Sequence, residues 1–162
     1  MSPAKPSKEN DSDGRRVIAR NRRARFSFEL IERLEAGIVL RGTEVKSLRE
    51  GQASLNEAYA RIRAGEVWLI GCHIPEYRAG SWANHEPTRP RKLLLSKHEI
   101  KKLDAKVTQR GQTLVPVSLY FNARGIVKVE LALARGKKTH DKRDTIKERD
   151  TQRDLDRRVK RG

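Results

Sequence analysis

The sequence predicts a mainly β fold: an antiparallel barrel with short flanking helices and a basic C-terminal tail. Three observations carry this. Apolar and polar residues alternate along several separate stretches, the period-two mark of half-buried strands. One well-capped amphipathic helix falls between two groups of such stretches. Both chain ends lack large apolar side chains, so the 162 residues suit one domain with tails.

Residues 1–20 are rich in Pro, Ser, Lys and Asp and read as a disordered arm. The barrel is expected over 21–135. Phe26, Phe28, Leu30, Leu34, Ala36, Ile38 and Leu40 all fall on even positions, interrupted only by Glu32. Leu30, Ile31 and Leu34 also fit helical spacing, but Gly37, Ile38 and Val39 favour a long strand. Gly42–Gly51 reads as a short helix, capped by Thr43 and ended by Gly51. Alternation at Ala58, Ala60, Ile62 and Ala64, a turn at Ala64-Gly65-Glu66, then Val67-Trp68-Leu69-Ile70 predict a hairpin. Residues 71–92 read as an irregular ordered loop. Ser96-Lys97-His98-Glu99 is a capping box, with Ile100, Leu103 and Val107 as the apolar stripe and Gly111 as the stop. Val115, Val117, Leu119 and Phe121 alternate in the next strand, Asn122–Gly125 turns, and Val127, Val129, Leu131 and Leu133 alternate in the last. A helix inserted between antiparallel strands in this order fits an oligonucleotide-binding (OB-like) barrel. Residues 136–162 form the tail: from Lys137 on it holds eleven Lys or Arg against six Asp or Glu. Its only large aliphatics are Ile146, Leu155 and Val159, so it is expected to stay unfolded until it meets a partner.

Charge then bears on function. Lys and Arg number 37 against 21 acids, a formal net charge of +16. The pI of about 10.5 lies in the range of nucleic-acid-binding domains. Each cation near a phosphate releases a counterion, so a polyanion is the expected partner. The single cysteine, Cys72, allows no intrachain disulfide and favours a reducing compartment. The N-terminus has no apolar signal core, and no apolar run approaches a membrane span. A soluble cytoplasmic monomer without a membrane partner is expected.

Catalysis finds little support. His73, His85, His98 and His140 are scattered, without Cys or carboxylates at ligand spacing, so neither metal nor other cofactor is expected. There is no nucleophile elbow and no phosphate-cradling glycine loop. Cys72 reads as core. A small RNA nuclease is kept as an alternative, and a generic single-strand-binding barrel as another. The latter needs several exposed aromatics as stacking platforms. Only 5% of residues are aromatic, and most fall on faces that read as buried.

Three segments and two glutamates could meet RNA. Asn21-Arg22-Arg23-Ala24-Arg25 precedes the first long strand and reads as a phosphate clamp rather than a solvated arm. Glu35 and Glu44 read first as ion-pair partners, though a glutamate can also accept from a base edge or a 2′-hydroxyl. His85–Lys92, with Arg91 and Lys92 at its end, is either a stiff solvated loop or a phosphate-contacting one. Gly136-Lys137-Lys138-Thr139-His140-Asp141-Lys142-Arg143 is either a linker or an RNA-contacting junction, and His140 could stack on a base.

In their order and spacing, NRRARFSFELIERLEAGIVLRGTEVKSLREG, HEPTRPRKLLLSKHEI and ALARGKKTHDKRDTIKER resemble the small protein B family of SsrA-binding proteins. The resemblance spans residues 21 to about 150 and implies an oligonucleotide-binding barrel with a strand after Asn21. It implies an RNA-binding protein of ribosome rescue that is not an enzyme. Proteins of this kind bind the tRNA-like domain of transfer-messenger RNA. They accompany it, with elongation factor Tu held through the RNA, into the empty A site of a stalled ribosome. Carried over residue by residue, the RNA face uses Asn21, Phe28, Glu35, Leu95 and Lys128. Relatives often carry tyrosine where Phe28 stands; phenylalanine can stack but has no hydroxyl to donate. Gly136, Lys137, Lys138, His140, Asp141, Lys142 and Arg143 are the part implied to meet 16S ribosomal RNA of the small subunit. The tail is implied to form a helix in the vacant messenger channel.

Overall fold

The computed structural model describes residues 14–80 and 84–137. In chain order these form β1 (Arg16–Arg20), α1 (Arg22–Ser27), β2 (Phe28–Ile38), α2 (Gly42–Arg49) and β3 (Tyr59–Arg63). There follow β4 (Glu66–Ile70), β5 (Arg91–Leu94), α3 (Lys97–Arg110), β6 (Thr113–Phe121) and β7 (Val127–Gly136). Every strand pair is antiparallel. Neighbours run β6-β3-β4-β5-β2-β7, and β7 pairs back to β6, so these six strands close on themselves. β1 adds to the outer half of β6. The expected OB-like barrel is therefore present. None of the described helices is long and apolar enough to cross a membrane.

Inward side chains of β2 to β7 build the main core, including Ala36, Val67, Leu69, Leu93, Leu119, Val129, Leu131 and Leu133. Leu103 is buried in it, with Ile100 and Val107 packed against it, so the amphipathic stripe of α3 lies on the barrel. The capping box holds: Ser96 Oγ accepts from Glu99 N at 3.2 Å. Gly111 ends the helix at φ 63°, where glycine has no Cβ to clash. The β3–β4 hairpin also forms as expected, its turn residues Ala64 and Gly65 at φ 51° and 74°. Positive φ at both turn positions matches the strand twist.

Several expectations change. Residues 16–20 are not a disordered arm but β1, with Ile18 and Ala19 packed on the core. The rest of that arm lies outside the described residues. The long strand starts at Phe28 and not Phe26, because Arg22–Ser27 make a short helix with Ala24 buried beneath it. The sequence reading places no strand between the β3–β4 hairpin and α3, yet Arg91–Leu94 form β5, whose first two residues lie in the stretch read as loop. Thr43 does not cap α2; its hydroxyl meets His85 Nδ1 at 2.9 Å. The Arg41 backbone N–H instead donates to the Glu44 carboxylate at 2.8 Å.

Two bulges also break the simple alternation. In β2 the register shifts between Leu30 and Glu32, and in β6 between Pro116 and Ser118. Proline has no N–H for the ladder, and a bulge is where a strand tolerates it. Beyond each bulge the parity flips. Val115 and Val117 face a second small cluster with Ala24, Ala132 and Ala134, whereas Leu119 and Phe121 face the main core. Phe28 and Leu30 pack on that second cluster, and Leu34 and Ile38 on the main one. Glu32, the interruption in the apolar series, meets Lys106 of α3 at 2.6 Å.

Candidate nucleic-acid interface

The segment from Arg15 to Arg25 lies along the outer wall of β6, β7 and β2 and leaves a groove of about 620 Å³ beside it. Arg15, Arg20, Arg22, Arg25 and Arg33 line it, against one acid, Glu130. Glu130 is already engaged: Arg33 Nη1 and Ser118 Oγ donate to it at 3.3 and 3.2 Å. The groove is therefore strongly cationic, and arginine forks match phosphate oxygens.

Asn21 lies in the groove lining between β1 and α1. Its backbone N–H donates to Val117 O at 2.8 Å and its Nδ2 to Pro116 O at 2.9 Å. These bonds use the region where the β6 bulge disturbs the ladder. Asn21 is only 8% exposed, and its Oδ1 is buried with no hydrogen-bond partner among the described residues. A buried acceptor without a donor is costly, and a small shift of the Asn21 amide toward the groove would let a donor there relieve that cost.

Glu35 and Lys128 share the same outer wall. Lys128 stands across from Gly37 of β2 and from Tyr120 of β6. Tyr120 Oη donates to the Glu35 carboxylate. Arg15 lies over the Tyr120 ring at 4.6 Å and reaches Glu35 at 3.7 Å. Burial, then the hydrogen bond to Glu35 and its charge, push the Tyr120 pKa far above that of a free phenol. The ring is 1% exposed, so it fixes the wall and leaves Glu35 and Lys128 at the surface.

The other sequence-derived positions divide. Arg22 lines the groove, while Arg23 is exposed on α1 outside that lining. Phe28 is half-buried on the small cluster below α1. Leu95 packs half-buried on the main core, and it is its neighbour Leu94, 52% exposed, that faces Gly37 and so borders Lys128. Arg91 is corrected outright. It is fully buried, pairs with Glu44, and donates to Cys72 O at 2.7 Å and Pro87 O at 3.0 Å, so no face remains for a phosphate. Glu44, also bound by Arg89, is the ion-pair partner the sequence suggested. Lys92 stands on the opposite wall, paired with Glu66 at 3.0 Å. Gly136 ends β7 across from Phe28. Lys137 is tied to α1, donating from its backbone N to Ser27 O at 3.0 Å and from Nζ to Arg25 O at 2.8 Å. Lys138, His140, Asp141, Lys142 and Arg143 lie outside the described residues.

Sequence reasoning missed Arg15, Arg20, Arg33 and Tyr120. The available signal was Val17-Ile18-Ala19, an apolar triplet flanked by Arg15, Arg16 and Arg20 inside a segment read as featureless.

A closed antiparallel barrel carrying an arginine-lined groove on its outer wall defines the class: an RNA-binding barrel of the oligonucleotide-binding type. The chain belongs to the SmpB protein family, whose model matches residues 18–161. It is 56% identical to the SsrA-binding protein of Sphingopyxis alaskensis over 156 residues, 96% of this chain and 97% of that one. It is 54% identical to the SsrA-binding protein of Thermobifida fusca over 158 residues, 98% of each chain. A solved structure described as "tmRNA-SmpB: a journey to the center of the bacterial ribosome" superposes with a TM-score of 0.62 at 54% identity, covering 74% of this chain and 84% of that one.

Proposed function

We propose that this chain binds the tRNA-like domain of transfer-messenger RNA and brings it into the A site of stalled ribosomes. The observation that carries the reading is the groove itself: five arginines around Asn21, whose buried Oδ1 has no partner among the described residues. The arginines hold phosphates, which fixes position without reading sequence. Asn21 Oδ1 accepts a 2′-hydroxyl or a base amino group, which favours RNA of one shape over a generic polyanion. Glu35 and Lys128 extend the contact along the same wall. Phe28, tucked under α1, supports the helix that presents Arg22 and Arg25.

The junction follows from the same geometry. Lys137 is pinned to α1 at Arg25, so the described chain ends beside the groove. RNA held there and a cationic tail starting there act in one direction. The tail, with its Lys138 to Arg143 motif, meets 16S ribosomal RNA and enters the vacant messenger channel. The elbow of the RNA stays on the barrel, and elongation factor Tu is engaged through the RNA. The protein acts as a cytoplasmic monomer and supplies shape and charge without chemistry of its own.

The test is binding to the tRNA-like domain at rising salt, against ordinary tRNA and a random hairpin. Binding that survives physiological salt and resists both competitors is expected. Binding that collapses with salt and shows no preference would leave only a nonspecific footprint.

A further inference from the structure

The wall opposite the groove carries a second set of features that the reading above does not use. In the barrel order, β3, β4 and β5 stand across from β2, β7 and β6. Their inward side chains Ala60, Val67, Leu69 and Leu93 are buried in the core. Their outward positions should then be polar if they met only water. Instead Tyr59 is 48% exposed across from Ile70, and Trp68 stands between Arg61 and Lys92 on the neighbouring strands. A cleft of about 440 Å³ opens there, lined by Arg61, Arg63, Glu66, Trp68, Ile70 and Pro90.

We infer that this outer face of β3–β5 is a second RNA-contacting surface, which takes an unpaired nucleotide stacked on Trp68 with its phosphates between Arg61 and Arg63. Three cations surround the indole against one acid, and Glu66 is held by Lys92 at 3.0 Å. Arg61 and Arg63 are exposed and make no ion pair among the described residues. An aromatic face flanked by unspent arginines suits a base and its phosphates, because every base offers a π-face and every linkage a charge. An acidic or apolar protein segment would leave one of the two halves unused. Lys92, which the sequence suggested as an RNA contact, belongs to this surface rather than to the groove.

The test uses the full chain carrying Trp82→Phe, which leaves Trp68 as the only indole of the two. Its fluorescence is titrated with an oligoadenylate of about eight nucleotides, within the site size of such barrels. Saturable quenching is expected. R61E/R63E should weaken the affinity by about tenfold, and R61A/R63A should reduce the magnitude of the salt slope by about 1.4, the value for two lost single-strand phosphate contacts. R22E/R25E, in the groove, should change the affinity by less than about twofold. Absence of quenching overturns the inference, and so does quenching lost equally in the groove variant. An affinity unchanged in R61E/R63E also overturns it and assigns the face to a protein partner. Because the probe reads Trp68 and the proposed function is read by binding of the tRNA-like domain, either can fail without the other. Circular dichroism confirms the fold of each variant.

Discussion

Burial alone would raise the carboxyl pKa of Glu44, yet it is held below the usual glutamate value. Hydrogen bonds from Arg89, the Arg41 backbone and Arg91, together with the Arg91 charge, outweigh the burial. A carboxyl whose folded pKa is depressed adds stability that is present above its unfolded pKa. That stability is lost as pH falls through the folded value. The wild-type chain should therefore lose stability steeply below the ordinary glutamate value of 4.5. Glu44→Gln should flatten that acid limb and cost about 3–5 kcal/mol at neutral pH, because Arg91 is left buried without its charge partner. Urea unfolding at several pH values measures both; an unchanged midpoint would contradict the role. Cys72 gives a second check. Burial pushes its thiol up to about 11. Ellman's reagent at pH 8 should react with it only on unfolding, and reaction at the rate of a free thiol in native buffer would contradict its burial. The two residues differed in legibility. Cys72 read as core from its apolar neighbours. Arg91 read as a loop cation because its partner lies 47 positions away, a separation no local pattern reveals.

At the scale of elements, what was legible is what local chemistry decides. Ser96 and Glu99 bond to each other within one turn, and the Ala64-Gly65 turn sets its own hairpin, so both could be read from neighbours alone. Ser96→Ala should destabilise the chain by about 1 kcal/mol. Thermal unfolding measures this, and no shift would mean the cap is redundant. β1 and β5 were missed for the opposite reason. β5 has only four residues, and neither strand forms without distant partners: β1 needs β6, and β5 needs β4 and β2. The bulges at Ile31 and Val117 were hidden because the apolar residues keep their parity while the backbone reverses which side that parity faces. The one surface consequence is large. The β6 bulge frees the carbonyls that anchor Asn21, and the helix after Asn21 turns a linear basic cluster into one wall of a groove.

Over the whole molecule, the charge of the chain is sorted onto separate surfaces. The groove wall, the Trp68 wall and the tail each carry cations, while the buried Arg89–Glu44–Arg91 network ties α2 to the strand that bears Lys92. Family membership and fold were legible because the motifs are dense and ordered along the chain. The candidate site was legible only in part: Asn21, Arg22, Glu35 and Lys128 converge on one wall, whereas Arg15, Arg20 and Arg33 join them through strand pairing alone. The central claim is that the groove, and not the net charge of +16, holds the RNA. The direct measurement compares two charge reversals of equal size for binding to the tRNA-like domain at physiological salt. One is R22E/R25E in the groove; the other is K101E/K102E on the exposed side of α3. The account expects the first to weaken binding by at least about a hundredfold, with lost phosphate contacts and new repulsion, and the second by only a few fold. Equal losses in both variants would contradict it, since net charge alone would then explain the binding.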